Sequence, residues 1–173
     1  MSTPTPTVLV IKDANVIIDL VHAGLLQAWF SLGVHTTTTD FVESELKRGE
    51  QWGEIAVFIE QKLLLVESFS AEEILSIIDL GKTNGVGAAD GSVLFLAERD
   101  SGILLTGDRK LRSKSETIGI KVRGILWIFD TLVEESIVSP SRALSALRVL
   151  LAKGSRLPES EVQKRMKLWE EES

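Results

Sequence analysis

Short apolar runs rich in β-branched residues alternate with helical patterns along most of this chain, and that alternation restricts the fold more than any other feature. The first run, Val8-Leu9-Val10-Ile11, is continuous rather than alternating, as befits a strand covered on both faces. Further strands are expected over residues 34–37, 63–66, 103–106 and 120–123, with helices over about 14–30, 39–47, 53–61, 70–80, 89–100 and 114–118. Strand, helix and strand repeated in this way predict right-handed crossovers and a mostly parallel sheet. The expected class is therefore α/β, as a three-layer α/β/α sandwich.

Local punctuation agrees with the helix assignments. Ser70 followed by Glu73 fits a capping box, and Ser139-Pro140 fits an N-cap with proline in the first helical position. Beyond Leu126 the pattern is helical throughout: Ala143, Leu144, Leu147, Leu150 and Leu151 form one apolar stripe, and a last helix carries Val162, Met166 and Trp169 on one face. Residues 1–7 read as a flexible N-terminus, 8–138 as the domain, and 139–173 as a C-terminal helical extension packed on that domain or on a partner.

At 173 residues and 44% hydrophobic content, the chain suits one globular domain with a sizeable core. No apolar run is long enough to span a bilayer, and the first residues lack a basic stretch followed by an apolar one, so the expectation is no membrane span, no signal peptide and a cytoplasmic location. Cysteine is absent and there are only two histidines, His22 and His35, so any metal must be held mainly by oxygen. A net charge of −6 argues against general coating of nucleic acid. Arg109, Lys110, Arg112 and Lys114 nevertheless concentrate positive charge just after a carboxylate, a stretch that reads equally well as a solvated surface segment.

Four carboxylates stand in places where packing alone does not call for them. Asp13 follows the first buried strand and Asp108 follows the strand ending at Thr106, so each belongs at the carboxyl end of a strand, where α/β folds put ligands. Each also suits a helix N-cap. On the helix containing Phe41, Val42 and Leu46, the apolar arc is about 140° wide and takes in Glu45 but not Glu43, so Glu45 is expected to turn inward. Asp90 shares a face with Val93, Leu94 and Ala97, although a position at the helix start would also account for it. If all four converge, their repulsion calls for cations, and oxygen-only ligation suits Mg²⁺ or Mn²⁺, which lower the pKa of water and offset charge at phosphorus. Asn15 and Thr106 would then position ligands or substrate, or serve only as turn residues.

The segments Val10-Ile11-Lys12-Asp13-Ala14-Asn15, Val42-Glu43-Ser44-Glu45-Leu46, Gly87-Ala88-Ala89-Asp90-Gly91-Ser92 and Leu104-Leu105-Thr106-Gly107-Asp108-Arg109-Lys110-Leu111, in this order, resemble the PIN domains. Many of these are the ribonuclease toxins of bacterial and archaeal toxin-antitoxin pairs. The resemblance implies an acidic quartet of Asp13, Glu45, Asp90 and Asp108 with Asn15 and Thr106 as polar companions. It also implies Mg²⁺- or Mn²⁺-dependent cleavage of RNA, often by a homodimer held in check by an antitoxin. Gly107 departs from the pattern, because many relatives place another Asp or Asn there. The expected activity is a metal-dependent endoribonuclease, with Arg109, Lys110 or Arg112 gripping the RNA backbone. The alternative is a catalytically silent PIN-fold interaction module acting through its C-terminal helices. A receiver domain, also parallel α/β with an acidic pocket, fits less well because Lys12 rather than an acid precedes Asp13.

Overall fold

The computed structural model describes the backbone of Leu9–Ile11 and the whole of residues 14–173. Asp13, the first of the expected acids, lies outside the described residues. The strands are β1 (Leu9–Ile11), β2 (Thr36–Thr39), β3 (Leu64–Glu67), β4 (Ile103–Leu105) and β5 (Lys121–Arg123). Between β1 and β3 run α1 (Ala14–His22), α2 (Leu26–Ser31), α3 (Asp40–Leu46) and α4 (Trp52–Glu60). Next come α5 (Ala71–Asn84) and α6 (Ala88–Arg99) before β4, then α7 (Arg109–Thr117) before β5. The chain closes with α8 (Ile125–Glu134), α9 (Pro140–Ala152) and α10 (Glu159–Glu171).

All neighbouring strands pair in parallel, in the order β3-β2-β1-β4-β5. The chain steps outward from β1 through β2 to β3, then returns across β1 to lay down β4 and β5. The direction of winding therefore reverses between β1 and β4, where Ile11 stands opposite Leu105. In such sheets the crevice beyond the carboxyl ends at the reversal is the natural ligand site. Helix α6 packs over β1, β2 and β4 and is backed by α5, while α1, α2, α8 and α9 pack together, giving the helix-sheet-helix sandwich.

The expected helix over 14–30 is two helices. Gly24, at φ 66°, breaks it, and α2 starts afresh beyond Leu25. A left-handed residue cannot continue a right-handed helix, and glycine adopts that conformation at least cost. The expected capping box at α5 is present in both directions, with Glu73 N–H donating to Ser70 Oγ at 3.2 Å and Ser70 N–H to Glu73 Oε2 at 2.9 Å. Helix α7 begins at Arg109 rather than Lys114, so the basic stretch forms its first turns. At the sheet border, β5 exposes Lys121 and Arg123, and the Arg123 guanidinium donates to the carbonyl of its own neighbour Val122 at 2.8 Å.

The C-terminal helices belong to the same core as the sheet. Ala143, Leu144, Leu147, Leu150, Val162 and Trp169 are all buried in one cluster with Leu104 and Phe129. Leu151, expected in the stripe, is 37% exposed, and Ala146 takes its place on the buried face. Trp169 stacks on Phe129 with ring centroids 6.2 Å apart, and Arg165 grips Asp130 through two bonds of 2.7 and 2.5 Å. Hydrogen bonding to Asp130 raises the Arg165 pKa above its ordinary value.

Trp169→Ala removes a fully buried ring and should cost about 3–5 kcal/mol in urea denaturation, whereas a loss below about 1 kcal/mol would mean α10 is only peripherally docked. The bond from the Ser70 backbone, helped by Arg99, holds the Glu73 carboxyl below the usual carboxylate range. A depressed acid contributes stability that is present above its unfolded pKa and is lost as pH falls through the folded one. Thermal melts of Glu73→Gln should thus fall below wild type at neutral pH and converge with it in acid.

Candidate active site

In a parallel sheet every strand ends at the same border, so residues following β2 and β4 meet the same edge. At β4 the chain runs from Leu105 into Thr106, which is wholly buried and extends the ladder by donating its N–H to the Arg123 carbonyl at 3.0 Å. Thr106 Oγ1 accepts from the Asp108 N–H at 3.0 Å, fixing the turn. Asp108 then caps α7, its Oδ1 accepting from the Leu111 N–H at 2.7 Å. The capping role is real, but it engages Oδ1, and Asp108 is otherwise exposed at the strand edge.

Asp90 is the third residue of α6 and is half-buried. Two contacts place this segment. Lys110, in the first turn of α7, donates to the carbonyl of Gly85, the left-handed cap of α5, and so ties the loop before α6 to the residues after Asp108. Ser92 Oγ lies 2.8 Å from Oγ1 of Thr39, the last residue of β2. Asp90 therefore lies along the chain between one tie to the end of β4 and another to the end of β2. The neighbouring Gly91 allows α5 and α6 to touch, because a Cβ there would sit 2.8 Å from the Ile77 carbonyl. Gly91→Ala should destabilise the fold by about 1–3 kcal/mol. Circular dichroism melts measure this, and a neutral result would show that α6 shifts freely.

Glu45 does not turn inward as expected. On α3 the buried residues are Val42 and Leu46, with Glu43 and Glu45 on either flank of that narrow stripe. Glu43 is the more sheltered and pairs with Lys47 at 3.1 Å, while Glu45 is exposed. Phe41 had widened the expected arc, but it lies in the first turn and packs sideways on Phe69, with centroids 6.3 Å apart. Asn15 is exposed in the first turn of α1. Arg109 and Lys110 are exposed and Arg112 is partly buried, 3.8 Å from Glu116.

One acid escaped the sequence reading. Asp40 directly follows β2, and its Oδ1 is buried without a hydrogen-bond partner. The rule that singled out Asp13 and Asp108, an acid just past a strand, finds it as well once β2 is placed two residues later than expected.

The donors at this edge are carboxylate and hydroxyl oxygens. His22 lies across the α1 end near Gln51 at 3.3 Å, and His35 lines a cavity of about 190 Å³ at the opposite, amino end of β2. That chemistry suits a hard cation such as Mg²⁺ or Mn²⁺, and the orphaned Asp40 oxygen is an acceptor in want of a positive partner. Among the described residues, however, no three acidic or histidine side chains are grouped closely enough to hold one ion.

The chain belongs to a PIN-domain family: the family model DUF3368, described as a PIN domain, matches residues 9–171. This family generally includes nucleases. Among solved structures, the crystal structure of PAE2754 from Pyrobaculum aerophilum matches with a TM-score of 0.57 and 15% sequence identity, covering 74% of this chain and 98% of that one. At that identity the likeness carries the fold alone. No curated protein matches the sequence. Among the described residues no helix is long and apolar enough to cross a membrane.

Proposed function

We infer that this chain is a Mg²⁺- or Mn²⁺-dependent endoribonuclease. The observation that carries this reading is the strand edge at the winding reversal of a PIN fold, with Asp108 beyond β4, Asp40 beyond β2 and Asp90 on a segment tied to both. Asp13, Asp90, Asp108 and Glu45 would hold the cation, with Asp40 a further acceptor. When bound, the ion supplies an acidified water and offsets charge on the phosphate. Thr106 acts through Asp108, its buried hydroxyl fixing the turn on which that carboxylate stands. Arg109 and Arg112 would hold the RNA backbone, whereas Lys110 is already engaged by Gly85. Asn15 would orient substrate from the first turn of α1.

Within the same reading the chain is the toxin of a toxin-antitoxin pair, cytoplasmic, acting as a homodimer and silenced by an antitoxin protein. The absence of a three-ligand group among the described residues favours one other reading, a PIN-fold interaction module without catalysis. Both are tested together. Asp108→Asn should keep the fold, since Asn also caps helices well, and Asp90→Asn should keep it because the side chains are nearly the same size. Each should lower Mn²⁺-dependent cleavage of single-stranded RNA by at least about 100-fold, the scale of losing one electrostatic group from a site. Unchanged cleavage in either purified variant, or a wild-type melting temperature indifferent to millimolar Mn²⁺, would favour the silent module.

A further inference from the structure

The carboxylates of α3 and α6 stand on separate helices, and the contact between those helices passes through two hydroxyls in the core. Strand β2 consists of four threonines, all buried. Valine has nearly the same shape, so packing does not call for a hydroxyl there, and a buried hydroxyl is costly unless it is bonded. Trp29 Nε1 donates to Thr36 Oγ1 at 3.0 Å, so that hydroxyl has a plain structural partner.

At Thr39 the partners are different. The Val42 N–H, in the first turn of α3, donates to Thr39 Oγ1 at 3.2 Å. Thr39 Oγ1 lies 2.8 Å from Ser92 Oγ, and Ser92 Oγ donates to the Ala89 carbonyl at 2.7 Å in the first turn of α6. Each hydroxyl has a single proton. Because the Ser92 proton goes to Ala89, Thr39 must donate to Ser92, and the chain runs one way: Val42 N–H to Thr39, Thr39 to Ser92, Ser92 to Ala89. Both hydroxyl residues are fully buried. One end of the chain lies in the turn that bears Asp40 and leads to Glu45, and the other lies one residue before Asp90.

The geometry points to Thr39 and Ser92 as positioning residues that set the spacing of the α3 and α6 carboxylates, and through it the affinity for the cation. This rests on the cation site proposed above. The two hydroxyls touch no substrate; they hold the helices on which the acids stand. Such supporting bonds typically change metal affinity by about 10–100-fold when removed.

The test measures Mn²⁺ binding by calorimetry and metal-free melting temperature on the full chain. Ser92→Ala leaves a good helix former in α6, so the variant should fold. It should melt lower than wild type, because Thr39 loses its acceptor, and bind Mn²⁺ about 10-fold more weakly. The double variant Thr39→Val/Ser92→Ala also takes the N-cap acceptor from the Val42 N–H, so it should melt no higher than Ser92→Ala, and its Mn²⁺ affinity should stay low. Thr39→Ser keeps the hydroxyl and should bind Mn²⁺ like wild type. A purely structural bond predicts the opposite split, with affinity unchanged in every variant while melting temperatures move, and that result overturns the assignment. Wild-type protein that binds no Mn²⁺ overturns both this assignment and the nuclease reading, whereas wild-type binding with equal binding by the variants removes this one alone.

Discussion

The parallel pairing of β1 with β4 is the contact on which the rest of this molecule depends. It joins the first strand to one laid down more than ninety residues later, with Leu9, Val10 and Ile11 opposite Ile103, Leu104 and Leu105. Only by closing that long loop does the chain bring the residues after β4 to the same sheet edge as those after β2, one strand away, and the cost in chain entropy is met by burying α6 and its apolar face across the middle of the sheet. The same closure reverses the direction of winding, the point at which open parallel sheets take their ligands. Core and site are thus products of one pairing.

The alternation was readable because β1 and β4 are continuous apolar runs and the helices carry clear punctuation, as at Ser70 and Ser139. Where the reading failed, a local pattern was overruled by a single residue. Gly24 split one expected helix in two, and Phe41, packed sideways on Phe69, misled the angle that put Glu45 inside. Asp40 was missed because β2 is made of threonines, which do not announce a buried strand as Val and Ile do. Asp108 illustrates a subtler point, since one oxygen serves as a cap while the carboxylate stands at the strand edge, so a capping role does not remove a residue from a site. The contacts that tie the start of α6 to the ends of β4 and β2 were not legible, because they rest on Lys110 meeting a backbone carbonyl and on two hydroxyls 53 residues apart in sequence.

The last two helices, α9 and α10, change what counts as the domain. Sequence alone separated them as an extension, but Leu147, Leu150 and Trp169 complete the core that also contains Leu104, and the family match runs on to residue 171. The ion pair of Arg165 with Asp130 fixes α10 to α8 at the same interface. Ser155 Oγ bonds to Asp19 at 3.0 Å, drawing the joint between α9 and α10 onto α1, the helix that leads away from the acidic edge.

A parallel sheet that is not rolled into a barrel has two raw borders, each a template onto which a stray extended chain could add itself. At β5 the outward positions are Lys121 and Arg123, and the arginine folds back to occupy the Val122 oxygen. An incoming strand there would meet two cations and find an acceptor already taken. The border is thereby made a poor template for a stray strand.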